Sequence, residues 1–180
     1  ASGTDRIAEV ARLRRWPADT IVVNVQGDEP LLPPALVLQV AEVLAAHPGA
    51  DIATLCSPIG TLEEFLDPNV VKLVTDARGR ALYFSRAAIP FHRDGVVAGR
   101  PVQFGGAQRH IGIYAYRAGA LARLAALPAV HIEEAEKLEQ LRALVHGMQI
   151  HVAQSDERPG PDVNSPEDLA RVAPLLLQQR

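Results

Sequence analysis

Asp28 stands in Gln26-Gly27-Asp28-Glu29, directly after the β-branched run Ile21 to Val25. A carboxylate there can hold Mg²⁺, which prefers carboxylate, water and phosphate oxygens. Arg86 follows one apolar run and Arg109 precedes another, positions from which a planar guanidinium can clamp a carboxylate or a phosphate. His110 and Tyr114 are four apart, and on a strand that even spacing places both on one face. Glu139-Gln140 adds an acid and an amide. The chemistry these types suggest is the holding of phosphate and sugar groups with help from a metal. Each residue also has a plainer reading. Asp28 can be a turn acid or a helix cap, Arg86 a surface arginine, His110 a satisfied half-buried histidine and Tyr114 a core aromatic. Glu139 can belong, with Glu136 and Lys137, to a solvated helix face.

The elements that must position them can be read from periodicity. Ile21 to Val25 reads as a central strand buried on both faces, and Gly27 lets the backbone turn close to a ligand. In open α/β sheets, ligands bind just past the carboxyl ends of such strands. Pro30, Pro33 and Pro34 then hand the chain to a helix over 35–46 with Leu36, Val37, Val40, Val43 and Leu44 on one face. A helix begins near Ser2-Gly3-Thr4-Asp5, with Thr4 or Ser2 as its cap. Further strands are expected over 51–59, 111–116 and 150–152, a short helix over 62–66, and a hairpin from Val70-Val71-Lys72-Leu73-Val74 to Ala81-Leu82-Tyr83-Phe84. The stretch 85–108, rich in Gly, Pro and Arg, reads as a long functional or mobile loop. Helices are expected over 118–127 and 132–146, and a last one opens with Ser165 as N-cap and Pro166 at its first position. The pattern is α/β with an inserted hairpin, in one domain over 1–180.

Composition narrows the function classes. In 180 residues, 48% are hydrophobic and 22% charged, which excludes disordered and fibrous chains. A net charge of −3 gives no basic footprint for nucleic acid, so an anionic ligand needs local arginines and a metal. The single cysteine, Cys56, lies in the apolar run Ile52-Ala53-Thr54-Leu55-Cys56 and reads as a core residue. No apolar run has membrane-spanning length and no signal peptide opens the chain, so a soluble cytoplasmic protein is expected. Dinucleotide, P-loop and Gly-x-Ser-x-Gly signatures do not occur.

The motifs taken in order are more specific than any one of them. Ser2-Gly3-Thr4-Asp5-Arg6, Asn24-Val25-Gln26-Gly27-Asp28-Glu29-Pro30, Tyr83-Phe84-Ser85-Arg86 with Ile89-Pro90, Arg109-His110-Ile111-Gly112-Ile113-Tyr114, Leu138-Glu139-Gln140-Leu141-Arg142 and Ser165-Pro166-Glu167-Asp168 span nearly the whole chain. This order resembles the 3-deoxy-manno-octulosonate cytidylyltransferase (CMP-Kdo synthetase) family. The resemblance implies a nucleotide-diphospho-sugar transferase-like, Rossmann-like three-layer α/β sandwich and a homodimer. It implies transfer of CMP from CTP to the acid sugar Kdo, with Mg²⁺ as cofactor and pyrophosphate as second product, for lipopolysaccharide synthesis. It places Asp28 and Arg86 as catalytic, and Gln26, Arg86, His110, Tyr114, Glu139 and Gln140 around the sugar. Ser2, Gly3 and Thr4 fall in the nucleotide-binding part, and Asp28 and Asn164 at the metal.

Two departures from the family pattern shape the expectation. The family opens with a strand and a basic glycine-containing loop that precede Ser2 in the match, so the chain reads as N-terminally incomplete. A second metal-binding Asp is usual where Val163-Asn164-Ser165-Pro166 here carries Asn164, so weaker metal binding is expected, with Asp162 as a compensating acid. The competing readings are a cytidylyltransferase for another acid sugar, such as a sialic acid, and a non-catalytic binding module that keeps the fold.

Overall fold

The computed structural model describes residues 3–157, 160–161, 163 and 165–178. Its spine is the ten-residue strand β7 (Gln108–Arg117). Along one side β7 pairs antiparallel with β2 (Ile52–Pro58). Along the other it pairs with β3 (Lys72–Thr75) near its start and β1 (Ile21–Asn24) at its end. β4 (Ala81–Ser85) extends the sheet beyond β3, and β8 (Ile150–Gln154) runs parallel to β2. The order is therefore β4-β3-β7-β2-β8, with β1 beside β7. The hairpin expected over 70–84 is β3–β4, and it is continuous with this main sheet.

Two helical layers cover the sheet. On one face α2 (Pro34–Ala46) buries Leu36, Val40 and Leu44 against Ala53, Leu55, Ile111, Ile113 and Ala115. On the other, α1 (Gly3–Leu13), α4 (Ala118–Ala126), α5 (His131–Glu136) and α6 (Gln140–Val145) pack over Ile52, Leu73, Phe84, Tyr114, Tyr116 and Ile150. Neighbouring residues of β2 and of β7 thus enter opposite cores, the period-two signature of a strand covered on both faces. Each fully buried Leu or Phe contributes roughly 1.5–3 kcal/mol. α3 (Leu62–Leu66) is capped by Thr61, whose hydroxyl accepts the Glu64 N–H at 3.1 Å. α7 (Pro166–Gln178) is capped as expected, Ser165 Oγ accepting the Asp168 N–H at 3.1 Å. Cys56 is buried, and burial pushes its thiol up to about 11, so it packs as a small apolar residue.

Four expectations need correction. β1 is covered on both faces, but it is not central: among the described residues it pairs with β7 alone. β7 is long enough for two short strands to share one of its edges end to end, and a β-branched run reports burial, not lateral position. Thr4 does not cap α1; it lies within the helix, buried, and its hydroxyl donates to Glu139 Oε2 at 2.9 Å. The single helix expected over 132–146 is two, broken at Lys137, which takes a left-handed φ of 55°. The break lets Leu138 and Leu141 both reach the core and turns Gln140 inward. The stretch 85–108 is not structureless. It holds a two-stranded ribbon, β5 (Val96–Val97) and β6 (Arg100–Pro101), around Ala98-Gly99, which have φ of 49° and 77°. Its end is fastened by Phe104 and Ala107, which pack on Ile59 and Phe65. Strands of two residues are too short to show any alternation.

Candidate active site

The start of β7, the end of β1 and the turn between α5 and α6 enclose a cavity of about 1030 Å³. Six of the expected site residues line it: Gln26, Asp28, Arg86, His110, Tyr114 and Gln140. A smaller cavity of about 180 Å³ shares Gln26, Tyr114 and Gln140 and adds Gly3, Thr4 and Glu139. Glu139 is therefore on the smaller cavity, bonded to Thr4, and not on the main one. Ser2, Asp162 and Asn164 lie outside the described residues.

One wall is fixed by hydrogen bonds. Glu136, at the end of α5, accepts from Ser85 Oγ at 2.6 Å and from the Arg86 backbone N–H at 2.9 Å. Arg86 answers with Nε donating to the Glu136 carbonyl at 2.7 Å and Nη1 to the Pro68 carbonyl at 3.0 Å. Burial works to raise the Glu136 pKa, but the bonds from Ser85, Arg86 and Tyr83 together hold it below the usual glutamate value. Beneath this wall lies Lys72, fully buried. Its Nζ donates to the carbonyls of Asp67 at 2.8 Å, Val70 at 2.5 Å and Arg86 at 2.7 Å, using all three of its protons. Burial lowers the Lys72 pKa, yet each N–H has a partner, which is how a buried ammonium becomes tolerable. It ties β3, the 67–70 turn and the residue after β4 at one point.

The floor is aromatic and imidazole. His110 stands with its ring 5.1 Å from Phe84, edge-on, and 5.2 Å from Tyr114. Its Nε2 is 3.0 Å from Thr54 Oγ1. Burial first, and the Arg109 charge second, push its pKa down to about 3, so the imidazole is neutral at ordinary pH. Burial likewise raises the Tyr114 hydroxyl well above its usual value, keeping it a neutral donor. Gly112 makes room for a neighbour here: a Cβ in its place would stand 2.8 Å from Glu29 Oε1.

Another part of the rim is open. Gln26 and Asp28 are exposed at the cavity mouth. The Asp28 carbonyl accepts the Val163 N–H at 2.8 Å, but its carboxylate forms no hydrogen bond or ion pair with any described residue. Asp168 also lines the cavity and pairs with Arg171 at 2.6 Å.

Sequence reasoning missed Glu136, Lys72 and Thr54. Glu136 looked like a solvated helix acid, and no local pattern marks an acid that meets a residue fifty positions away. Lys72 and Thr54 did carry a signal, since each is the polar member of an apolar strand run and needs a partner when buried.

Comparisons with known proteins bear on the family and the fold. A cytidylyltransferase family model matches residues 1–150. The 3-deoxy-manno-octulosonate cytidylyltransferase of Nitrosococcus oceani is 52% identical, over 99% of this chain and 70% of that protein. The enzyme of the same name from Alkalilimnicola ehrlichii is 54% identical, again over 99% and 70%. Among solved structures, a CMP:2-keto-3-deoxy-manno-octonic acid synthetase complexed with CTP superposes with a TM-score of 0.84 at 37% identity, covering 99% of this chain and 69% of that one. A 4-diphosphocytidyl-2C-methyl-D-erythritol synthase, at 16% identity and a TM-score of 0.55, shares the fold. The chain, with its mixed sheet between two helical layers and its polar cavity at the end of β1, belongs to the 3-deoxy-manno-octulosonate cytidylyltransferase family.

Proposed function

We propose that this protein transfers CMP from CTP to Kdo. The observation that carries the proposal is the single cavity that gathers Arg86, His110, Tyr114, Gln26 and Gln140 with the exposed Asp28. An acid sugar brings one carboxylate and several hydroxyls. Arg86 and Arg109 supply positive charge for the first, and the imidazole, phenol and two amides supply donors and acceptors for the second. The anomeric hydroxyl oxygen of Kdo forms a bond to the α-phosphorus of CTP as the bond to the pyrophosphate oxygen breaks, and the proton of that hydroxyl passes to solvent or phosphate. Such a transfer needs positioning and charge stabilisation, and no covalent nucleophile.

Mg²⁺ belongs to the same reading. Among the described residues no group of three His, Cys, Asp or Glu side chains converges to cage a metal. The exposed Asp28 carboxylate at the cavity mouth suits Mg²⁺, which is commonly held by one or two carboxylates with water and substrate phosphates completing the shell. Asp28 would share the ion with the triphosphate, with Asn164 as the second ligand that the family pattern suggests. When bound, the ion supplies neutralisation of phosphate charge. Gly3 and Thr4, on the smaller cavity, belong to the nucleotide side, with Ser2. A homodimer is the assembly we propose, with the exposed Phe91, Val97 and Val102 as apolar surface for a second copy to cover. No helix among the described residues is long and apolar enough to cross a membrane, and use of CTP assigns the reaction to the cytoplasm.

Pyrophosphate release from CTP and Mg²⁺, with Kdo and a sialic acid compared, tests the reading. Release with Kdo is expected. Release only with the sialic acid transfers the assignment to another acid sugar, and silence with both in the folded protein favours a binding module.

A further inference from the structure

Thr54 occupies the one step in register between β2 and β7. It pairs with Tyr114, while the next residue, Leu55, pairs with Ile111, so Gly112 and Ile113 have no partners on β2. Thr54 is fully buried, and its Oγ1 meets the displaced carbonyls of Ile113 at 2.8 Å and Ile111 at 3.2 Å. A carbonyl can only accept, so the single hydroxyl proton of Thr54 is directed to these oxygens. Turning it toward His110 would leave a buried oxygen–oxygen contact without a proton, at a cost comparable to an unsatisfied buried acceptor. Toward His110 Nε2, 3.0 Å away, the hydroxyl therefore presents lone pairs.

We propose that Thr54 is a positioning residue that holds His110 as its Nε2–H tautomer, so that Nδ1 offers a lone pair to a hydroxyl of the bound sugar. A neutral imidazole carries one proton, and Thr54 claims it at Nε2. Nδ1 forms no bond with any described residue, on a ring that lines the main cavity. The ring is packed by Phe84, which meets it edge-on, and by Tyr114, tilted against it. A neutral acceptor is a poor partner for a carboxylate and a good one for a hydroxyl. The site thus divides its work: the arginines read the acid group of the sugar, and His110 reads one hydroxyl. The strand irregularity has a use, because the carbonyl of the unpaired Ile113 and that of Ile111, at the edge of the step, both meet Thr54 and fix the direction of its proton.

The part played by the sugar rests on the Kdo reading above; the tautomer does not. Long-range proton–nitrogen spectra of the whole protein labelled with ¹⁵N-histidine at neutral pH read the tautomer directly. The expected spectrum shows a protonated Nε2 and a bare Nδ1 for His110; a protonated Nδ1 overturns the proposal without any variant having to fold. Thr54→Val removes both the acceptor and the donor at constant shape. It should allow the Nδ1–H form and raise the KM for Kdo about tenfold, with kcat and the KM for CTP within twofold. Thr54→Ser should restore both tautomer and KM. An unchanged KM for Kdo in folded Thr54→Val, or a Thr54→Ser variant no better than Thr54→Val, overturns it. Absence of any Kdo-dependent pyrophosphate release in the unsubstituted protein would instead sink the Kdo reading, and the spectrum would still decide what Thr54 does to His110.

Discussion

The two sides of the cavity are built on opposite plans. On the Arg86 side the wall is tied within the protein: Glu136 to Ser85 and the Arg86 N–H, Arg86 through Nε and Nη1 to two carbonyls with Nη2 left for ligand, and Lys72 to three carbonyls. On the Asp28 side the carboxylate and the Gln26 amide stand exposed. A wall held in advance costs little to organise when ligand arrives, which suits recognition of a sugar of fixed shape. An exposed carboxylate keeps its oxygens for what arrives with the nucleotide. The difference teaches that a ligand-reading group can be fixed in advance, as Arg86 is, or left exposed, as Asp28 is.

The comparison can be broken most sharply at Asp28. Asp28→Ala should lower Mg²⁺-dependent pyrophosphate release by roughly a hundredfold or more, with stability changed by no more than about 0.5 kcal/mol, as expected for an exposed side chain. A normal rate would remove Asp28 from the metal. Lys72→Met should do the reverse. It strands three carbonyls, so a loss on the order of 2–4 kcal/mol is expected in urea unfolding, and a melt equal to that of the unsubstituted protein would deny Lys72 its tethering role.

Arg86→Ala should raise the KM for Kdo roughly tenfold or more, from loss of a charge-assisted contact, with the KM for CTP nearly unchanged. Arg86→Lys should not rescue it, because a point charge cannot reach two carbonyls and a ligand with a fixed planar fork. If only the KM for CTP moves, Arg86 belongs to the nucleotide side.

The smallest effect is that of Glu136 in acid. Glu136 has a folded pKa below the ordinary 4.5, so its stabilisation is complete above that value and is lost as pH falls through the folded pKa. His110 acts in a higher window. The unfolded chain takes up a proton near 6.5, the folded protein only near 3, so stability declines as pH falls between those values. Glu136→Gln should flatten the lower part of the melting-temperature profile and leave the upper part alone. A profile unchanged at both ends would show that the Glu136 bonds do not hold the wall.

The family order of motifs was legible in the chain because each motif sits where backbone chemistry is local. Gly27 ends a strand, Pro34 opens a helix and Ser165 caps one. α2, α3, the β3–β4 hairpin and α7 were legible for the same reason, since apolar periodicity and caps act over four residues or fewer. The break between α5 and α6 was not. Lys137 takes a left-handed conformation because Glu133 is held by Arg142, at 2.9 Å through Nε, while Leu138 is drawn into the core; those partners act together only once the chain is folded.

Residue types and spacing determined that this chain would form an α/β domain with Asp28, Arg86, His110 and Tyr114 as chemically able residues, and the order of its motifs added the sandwich fold and Gln140 through the family resemblance. Only the tertiary structure decided how those residues are divided. It placed Glu139 with Thr4 on the smaller cavity, made Glu136 the clamp on Arg86, buried Lys72 under the same wall and set Thr54 against His110. The physical reason is one of range. Periodicity and capping are written in neighbours, whereas the partner of a buried charge or hydroxyl is chosen by which strands share an edge, and that choice lies fifty residues away in the chain.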